Sequence, residues 1–66
     1  MAEQYRIALD AMGGDEGPEM VIAGAAVALE RYPKLSFLIF GDEARVASLV
    51  NRYPALAAVS ELRHTV

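Results

Sequence analysis

Asp10-Ala11-Met12-Gly13-Gly14-Asp15-Glu16-Gly17-Pro18 is the stretch that decides the fold. Upstream of it, Tyr5-Arg6-Ile7-Ala8-Leu9 is a short apolar run that predicts a strand over residues 5–10. Ile7 and Leu9 fall on one face and Ala8 on the other, which predicts burial on both faces, as in a parallel sheet. Downstream, Val21, Ile22, Ala25, Ala28, Leu29 and Tyr32 recur at helical spacing and predict an amphipathic helix over residues 18–32. The quoted stretch is then a strand-to-helix loop, the place where an open α/β sheet receives its ligands. Gly13-Gly14 lets the backbone bend sharply and approach a ligand closely. Pro18 suits the first helical position, where the missing N–H would have no partner anyway. Gly17 is an acceptable N-cap. The helix turns its free N–H groups and positive dipole end back toward the loop.

Beyond the first helix, Pro33 ends the element by pushing Tyr32 out of helical space. Leu35-Ser36-Phe37-Leu38-Ile39-Phe40 predicts a second strand, closed by Gly41-Asp42. Asp42 is a strong N-cap for a second helix over residues 43–52, where Val46, Leu49, Val50 and Tyr53 form the apolar stripe. Arg-Tyr-Pro-x-Leu occurs at residues 31–35 and again at 52–56. Both copies read as a helix stop followed by a turn into a strand, so Pro54 is expected to end the second helix as Pro33 ends the first. After a short connection, Leu62, His64 and Val66 alternate with Glu61, Arg63 and Thr65, predicting a third strand from residue 60 to the end. The order β-α-β-α-β makes the fold class α/β, a parallel sheet with right-handed crossovers.

With 66 residues there is room for one domain at most. A chain this size buries only roughly 60% of its unfolded surface. It has no cysteine and a single histidine, so neither a disulfide nor a metal cluster staples it. At 55% apolar residues it is too hydrophobic for a disordered tail. Residues 1–66 are therefore expected to be a single partial domain of a larger protein. The net charge of −3 argues against nucleic acid as a partner. Met1-Ala2-Glu3-Gln4 lacks the basic and apolar regions of a signal peptide. No apolar run reaches the roughly 18 residues that span a bilayer. A cytoplasmic location is expected.

The loop admits several chemistries. Glycines ahead of a helix N-terminus present N–H groups to an oxyanion; the plain alternative is an ordinary tight turn with no ligand. Neither G-x-G-x-x-G nor G-x-x-x-x-G-K-[ST] is present, so no dinucleotide or Walker site is supported. Asp10, Asp15, Glu16 and Glu19 are acidic, and no Lys or Arg lies between Arg6 and Arg31, so a bound phosphate needs basic groups from elsewhere. Asp10 and Asp15 suit Mg²⁺ as carboxylate ligands, or simply cap local N–H groups and order the turn. His64, on the apolar face of a strand with no identifiable partner acid, reads as a core or edge histidine rather than a base.

The run Ile7-Ala8-Leu9-Asp10-Ala11-Met12-Gly13-Gly14-Asp15-x-Gly17-Pro18 resembles the N-terminal signature of the bacterial PlsX family, the phosphate acyltransferases of phospholipid synthesis. The alanine-rich helix and the strand ending in Phe40-Gly41-Asp42 match in order. The resemblance covers this whole chain but only the first part of the family's much longer chains. It implies an α/β/α sandwich like that of isocitrate and isopropylmalate dehydrogenases, with the first strand between the second and third. It implies a reaction in which acyl-carrier-protein thioesters and inorganic phosphate give acyl phosphates, with no cofactor, in a homodimer that acts in the cytoplasm and associates peripherally with membrane. Asp10 and Asp15 are then the candidate catalytic residues, orienting basic or amide groups from outside this segment. Met12, Gly13, Gly14 and Gly17 are the candidate phosphate- or substrate-binding residues. No metal site is expected. A segment of 66 residues is expected to be inactive alone. The competing expectation is a non-catalytic α/β module that self-associates through an exposed sheet edge.

Overall fold

The computed structural model describes residues 5–12 and 17–65. Its elements are β1 (Tyr5–Asp10), α1 (Gly17–Arg31), β2 (Leu35–Gly41), α2 (Glu43–Val50), α3 (Pro54–Ala58) and β3 (Ser60–His64). The strands form one parallel sheet in the order β1-β2-β3. The fold class is α/β, as expected.

Register decides which face is buried. Ile7 pairs with Phe37 and Leu9 with Ile39, while Ile39 also pairs with Leu62 and Gly41 with His64. Because side chains alternate across a strand, these residues share one face. Phe37 and Ile39 on that face join Ile22 and Ala25 of α1, Val46, Leu49 and Val50 of α2, and Leu56 of α3 in the core. Ile22 and Ile39 are fully buried, and each such side chain contributes about 1.5–3 kcal/mol.

The strands advance one step at a time across the sheet, so right-handed crossovers place every connecting helix on the same side. The opposite face carries Ala8, Leu38 and Phe40 without a helical layer among the described residues. This corrects the expected double burial of β1. Tyr5 is 58% and Ile7 37% exposed, because β1 is an edge strand here. It also corrects the implied strand order: β2, not β1, is the middle strand. With helices on one face only, the described residues form two layers.

Pro54 is a second correction. Instead of ending α2, it occupies the first turn of α3. Helix α2 stops at Val50, earlier than residue 52, through turns in which Arg52 N–H donates to Leu49 O at 3.1 Å and Tyr53 N–H to Val50 O at 2.9 Å. Pro54 forces Tyr53 to extended backbone, with φ −127° and ψ 85°. The following Ala-Leu-Ala-Ala favours helix, so Pro54 starts one. Pro33 behaves as expected, in the turn that leads into β2. The third strand runs to His64; Val66 lies outside the described residues.

On the open face, Glu61 of β3 reaches across the sheet to Arg6 of β1, Nη2 to Oε1 at 3.1 Å, and accepts from Arg63 Nε at 2.6 Å. These bonds, Arg63's first and Arg6's second, hold the Glu61 carboxyl below the usual carboxylate range. A lowered folded pKa stabilises above the unfolded value and loses that stabilisation as pH falls through the folded value. Urea midpoints of the wild-type protein should therefore fall on acidification through and below the ordinary glutamate range. In Glu61→Gln that part of the slope should be missing; an unchanged slope would show that this pair adds nothing to stability.

Candidate functional site

The carboxyl ends of the strands carry the candidate site. Asp10, the last residue of β1, accepts Met12 N–H on Oδ1 at 3.0 Å, which folds the chain into a local turn. Ala11 N–H donates to Phe40 O at 2.8 Å, extending the ladder one step beyond β1 and burying Ala11 completely. The turn-ordering role expected for Asp10 is thus present. The Met12 side chain lies across Gly41 at the end of β2: a Cβ built on Gly41 would come within 3.0 Å of Met12 Cγ and 3.1 Å of Val46 Cγ2. Gly41 allows this close approach because it has no side chain.

At the other end of the loop, Gly17 has φ +83°, a left-handed conformation that side-chain-bearing residues rarely adopt. Pro18 follows it, buried in the first turn of α1. Gly13, Gly14 and Asp15, the remaining candidates of the loop, lie outside the described residues. Asp10, Met12 and Gly17 are thus the candidates whose positions are described, and Asp10 and Met12 line one hollow.

That hollow, of about 450 Å³, is lined by Asp10, Met12, Asp42, His64 and Thr65. Asp42 is the N-cap of α2, as its sequence position predicts, and its Oδ1 accepts Arg45 N–H at 3.4 Å. His64 ends β3 beside Gly41, and its Nδ1 accepts Glu43 N–H, the first of α2, at 3.1 Å. Thr65 N–H donates to Gly41 O at 3.0 Å and carries the chain past the same edge. The sequence admits His64 as a core or edge histidine; it is exposed rather than in the core, and its partner, which sequence reasoning missed, is a backbone N–H 21 residues away. The only local hint is that His64 ends the third strand, at the edge where Asp42 starts a helix.

Arg45 is the second residue that sequence reasoning missed. Its Nη2 lies 2.9 Å from Glu19 Oε1, tying the first turn of α2 to the first turn of α1. Arg45 is the main cause of the lowered pKa of Glu19. The pair brings a cation to the start of α1, a region without basic residues in the local sequence. Among the described residues, no group of three or more His, Cys, Asp and Glu side chains is placed to hold a metal ion. No helix among them is long and apolar enough to cross a membrane.

A larger apolar groove, about 820 Å³, lies between the second half of α1 and residues 52–59. It opens at the opposite end of the sheet from Asp10 and Met12, because α1 runs antiparallel to the strands. The carboxyl edge, where ligands of open α/β sheets gather, remains the candidate site.

A family model described as "Fatty acid synthesis protein" matches residues 5–65. A phosphate acyltransferase of Rhodospirillum centenum is 58% identical over 65 residues, covering 98% of this chain and 18% of the relative. One of Xanthobacter autotrophicus is 57% identical over the same span and shares. One of Sinorhizobium fredii is 62% identical over 55 residues, 83% of this chain and 16% of the relative. The chain thus spans less than a fifth of the length of the relatives it matches. A match that runs through every described element places this chain in the fatty acid synthesis protein family, with phosphate acyltransferases as its relatives.

Proposed function

We propose that this chain is the N-terminal part of a phosphate acyltransferase that makes acyl phosphate from an acyl-carrier-protein thioester and inorganic phosphate. The observation that carries the reading is the identity of 58% across 98% of the chain to a protein of that name. The site is compatible with the chemistry. A phosphate oxygen attacks the thioester carbonyl carbon, a C–O bond forms, the C–S bond breaks, and the carrier's thiolate leaves and takes up the proton of the hydrogen phosphate. Phosphate is itself the nucleophile, so no serine or cysteine is required. The protein's tasks are to position phosphate and to stabilise the tetrahedral oxyanion. In this reading the Gly13 and Gly14 N–H groups contribute donors, and Met12 and Gly17 frame the loop. Asp10 and Asp15 orient the amide or basic groups that meet phosphate. No cofactor takes part.

The same reading extends to the full protein: a dehydrogenase-like α/β/α sandwich in which further chain covers the open sheet face, a homodimer, and action in the cytoplasm with peripheral contact to membrane. The test is the full-length protein with acyl-carrier-protein thioester, read as phosphate-dependent release of free carrier thiol with matching formation of acyl phosphate. Release that does not depend on phosphate would overturn the assignment. Asp15→Asn with wild-type turnover would exclude an essential role for that carboxylate.

A further inference from the structure

One histidine nitrogen at the carboxyl edge is committed and the other is not. His64 Nδ1 accepts the backbone N–H of Glu43 at 3.1 Å. A backbone N–H only donates, so Nδ1 carries no proton and the neutral ring holds its proton on Nε2. Nε2 lies on the far side of Cε1 from this bond, and it has no hydrogen-bond partner among the described residues. The ring lines the hollow shared with Asp10, Met12, Asp42 and Thr65. Helix α2 therefore acts as a clamp that fixes both the tautomer and the plane of the imidazole. The result is a pre-oriented N–H donor at the end of the sheet.

We propose that His64 is a substrate-binding residue whose Nε2–H donates to an oxygen of hydrogen phosphate seated in this hollow. The proposal rests on the phosphate acyltransferase reading and adds to it a residue outside the glycine loop. The carboxylates of Asp10 and Asp42 decide which anion is admitted. Each already accepts one backbone N–H, and both repel a bare oxyanion. Hydrogen phosphate carries a P–O–H group that donates to a carboxylate, while its other oxygens accept from Nε2–H. Sulfate at neutral pH has no proton to donate. An acidic phosphate site thereby becomes selective, because only the protonated anion satisfies both kinds of group.

The tetrahedral oxyanion at the thioester carbon has the same acceptor chemistry, and kinetics separate it from phosphate. In the full-length protein, acyl-phosphate formation is measured against phosphate concentration for wild type, His64→Asn and His64→Gln. The asparagine carbonyl reaches the Nδ1 position and keeps the bond to Glu43 N–H, but places no donor near Nε2. The glutamine amide places a donor near Nε2 and loses the bond to α2.

His64→Asn should raise the phosphate KM about 10- to 100-fold, with kcat and melting midpoint near wild type. His64→Gln should bring KM back to within a few-fold of wild type while lowering the melting midpoint. Sulfate should inhibit only far above the phosphate KM. Wild-type KM in His64→Asn would overturn the proposal, as would rescue by Asn and not by Gln, which marks a structural cap alone. A fall in kcat with unchanged KM would move the donor to the thioester oxyanion and also overturn it. Wild-type protein without phosphate-dependent turnover would instead defeat the acyltransferase reading; calorimetric phosphate binding by the three proteins would still read the role of His64.

Discussion

Ile39→Ala is expected to lower the unfolding free energy by about 2–5 kcal/mol. Ile39 sits in the middle strand, paired with Leu9 on one side and Leu62 on the other, and it is fully buried. Its side chain lies where the helices meet the sheet, among Ile22, Val46 and Leu56, all fully buried or nearly so. Truncation removes transfer free energy and also leaves a cavity. Backbone atoms on both sides of Ile39 are held by ladder bonds, which restrict collapse into that cavity. Leu38, its neighbour on the open face, provides the control: it is only partly buried. Leu38→Ala should cost clearly less in the same denaturant titration of the 66-residue chain, whose open face has no covering layer among the described residues. Equal losses at the two positions would mean that the open face is as well packed as the helical one, and that the one-sided core is wrong.

That contrast between faces also marks where sequence reasoning stops. The alternation of β1 and β2 and the helical spacing of α1 are local patterns, and they place those elements within a residue or so. Asp42 as an N-cap is equally local, since it needs only the N–H of Arg45 three residues on. Strand order is not local. The run Tyr5-Arg6-Ile7-Ala8-Leu9 reads the same in the middle of a sheet or at its edge, and only the register of β2 with both neighbours shows which it is. Pro54 failed for a related reason. Proline interrupts the helix before it and starts the helix after it; the copy at Pro33 precedes a strand-forming run, whereas Pro54 precedes a helix-forming one.

The site was legible to the same extent. A motif of glycines and aspartates between a strand and a helix identifies the carboxyl edge before any coordinate is known. Asp10 orders its own turn, which its spacing to Met12 implies. His64, Arg45 and Gly41 reach the same region from β3, α2 and β2. Their arrival depends on the two crossover connections that line up β1, β2 and β3, and no short window of sequence contains it. The acidic character of the loop looked hostile to phosphate on sequence alone. Part of that charge is neutralised from a distance, because Arg45 ties up Glu19 at the start of α1.

Gly41→Ala is expected to destabilise the fold by about 1–3 kcal/mol and to disturb the site in the same stroke. The new Cβ would come within 3.0 Å of Met12 Cγ, 3.1 Å of Val46 Cγ2 and 3.4 Å of Met12 Sδ. These contacts differ in how easily they yield. Met12 is 45% exposed and its thioether chain has several rotatable bonds, so it can swing away. Val46 is 1% exposed and stiff at χ1, so it resists. If Met12 carries most of the clash, Gly41→Ala should cost markedly less in a Met12→Ala background than in wild type, giving a clear coupling term in the double-mutant cycle. If Val46 carries it, the cost should be the same in both backgrounds. The structure favours coupling to Met12, which supplies two of the three short contacts. Met12 also lines the hollow with His64 and Asp42, so displacing it should change the phosphate KM of Gly41→Ala while kcat moves less. A neutral Gly41→Ala, stable and with wild-type KM, would mean that Met12 does not rest on Gly41 and that the floor of the hollow is built differently.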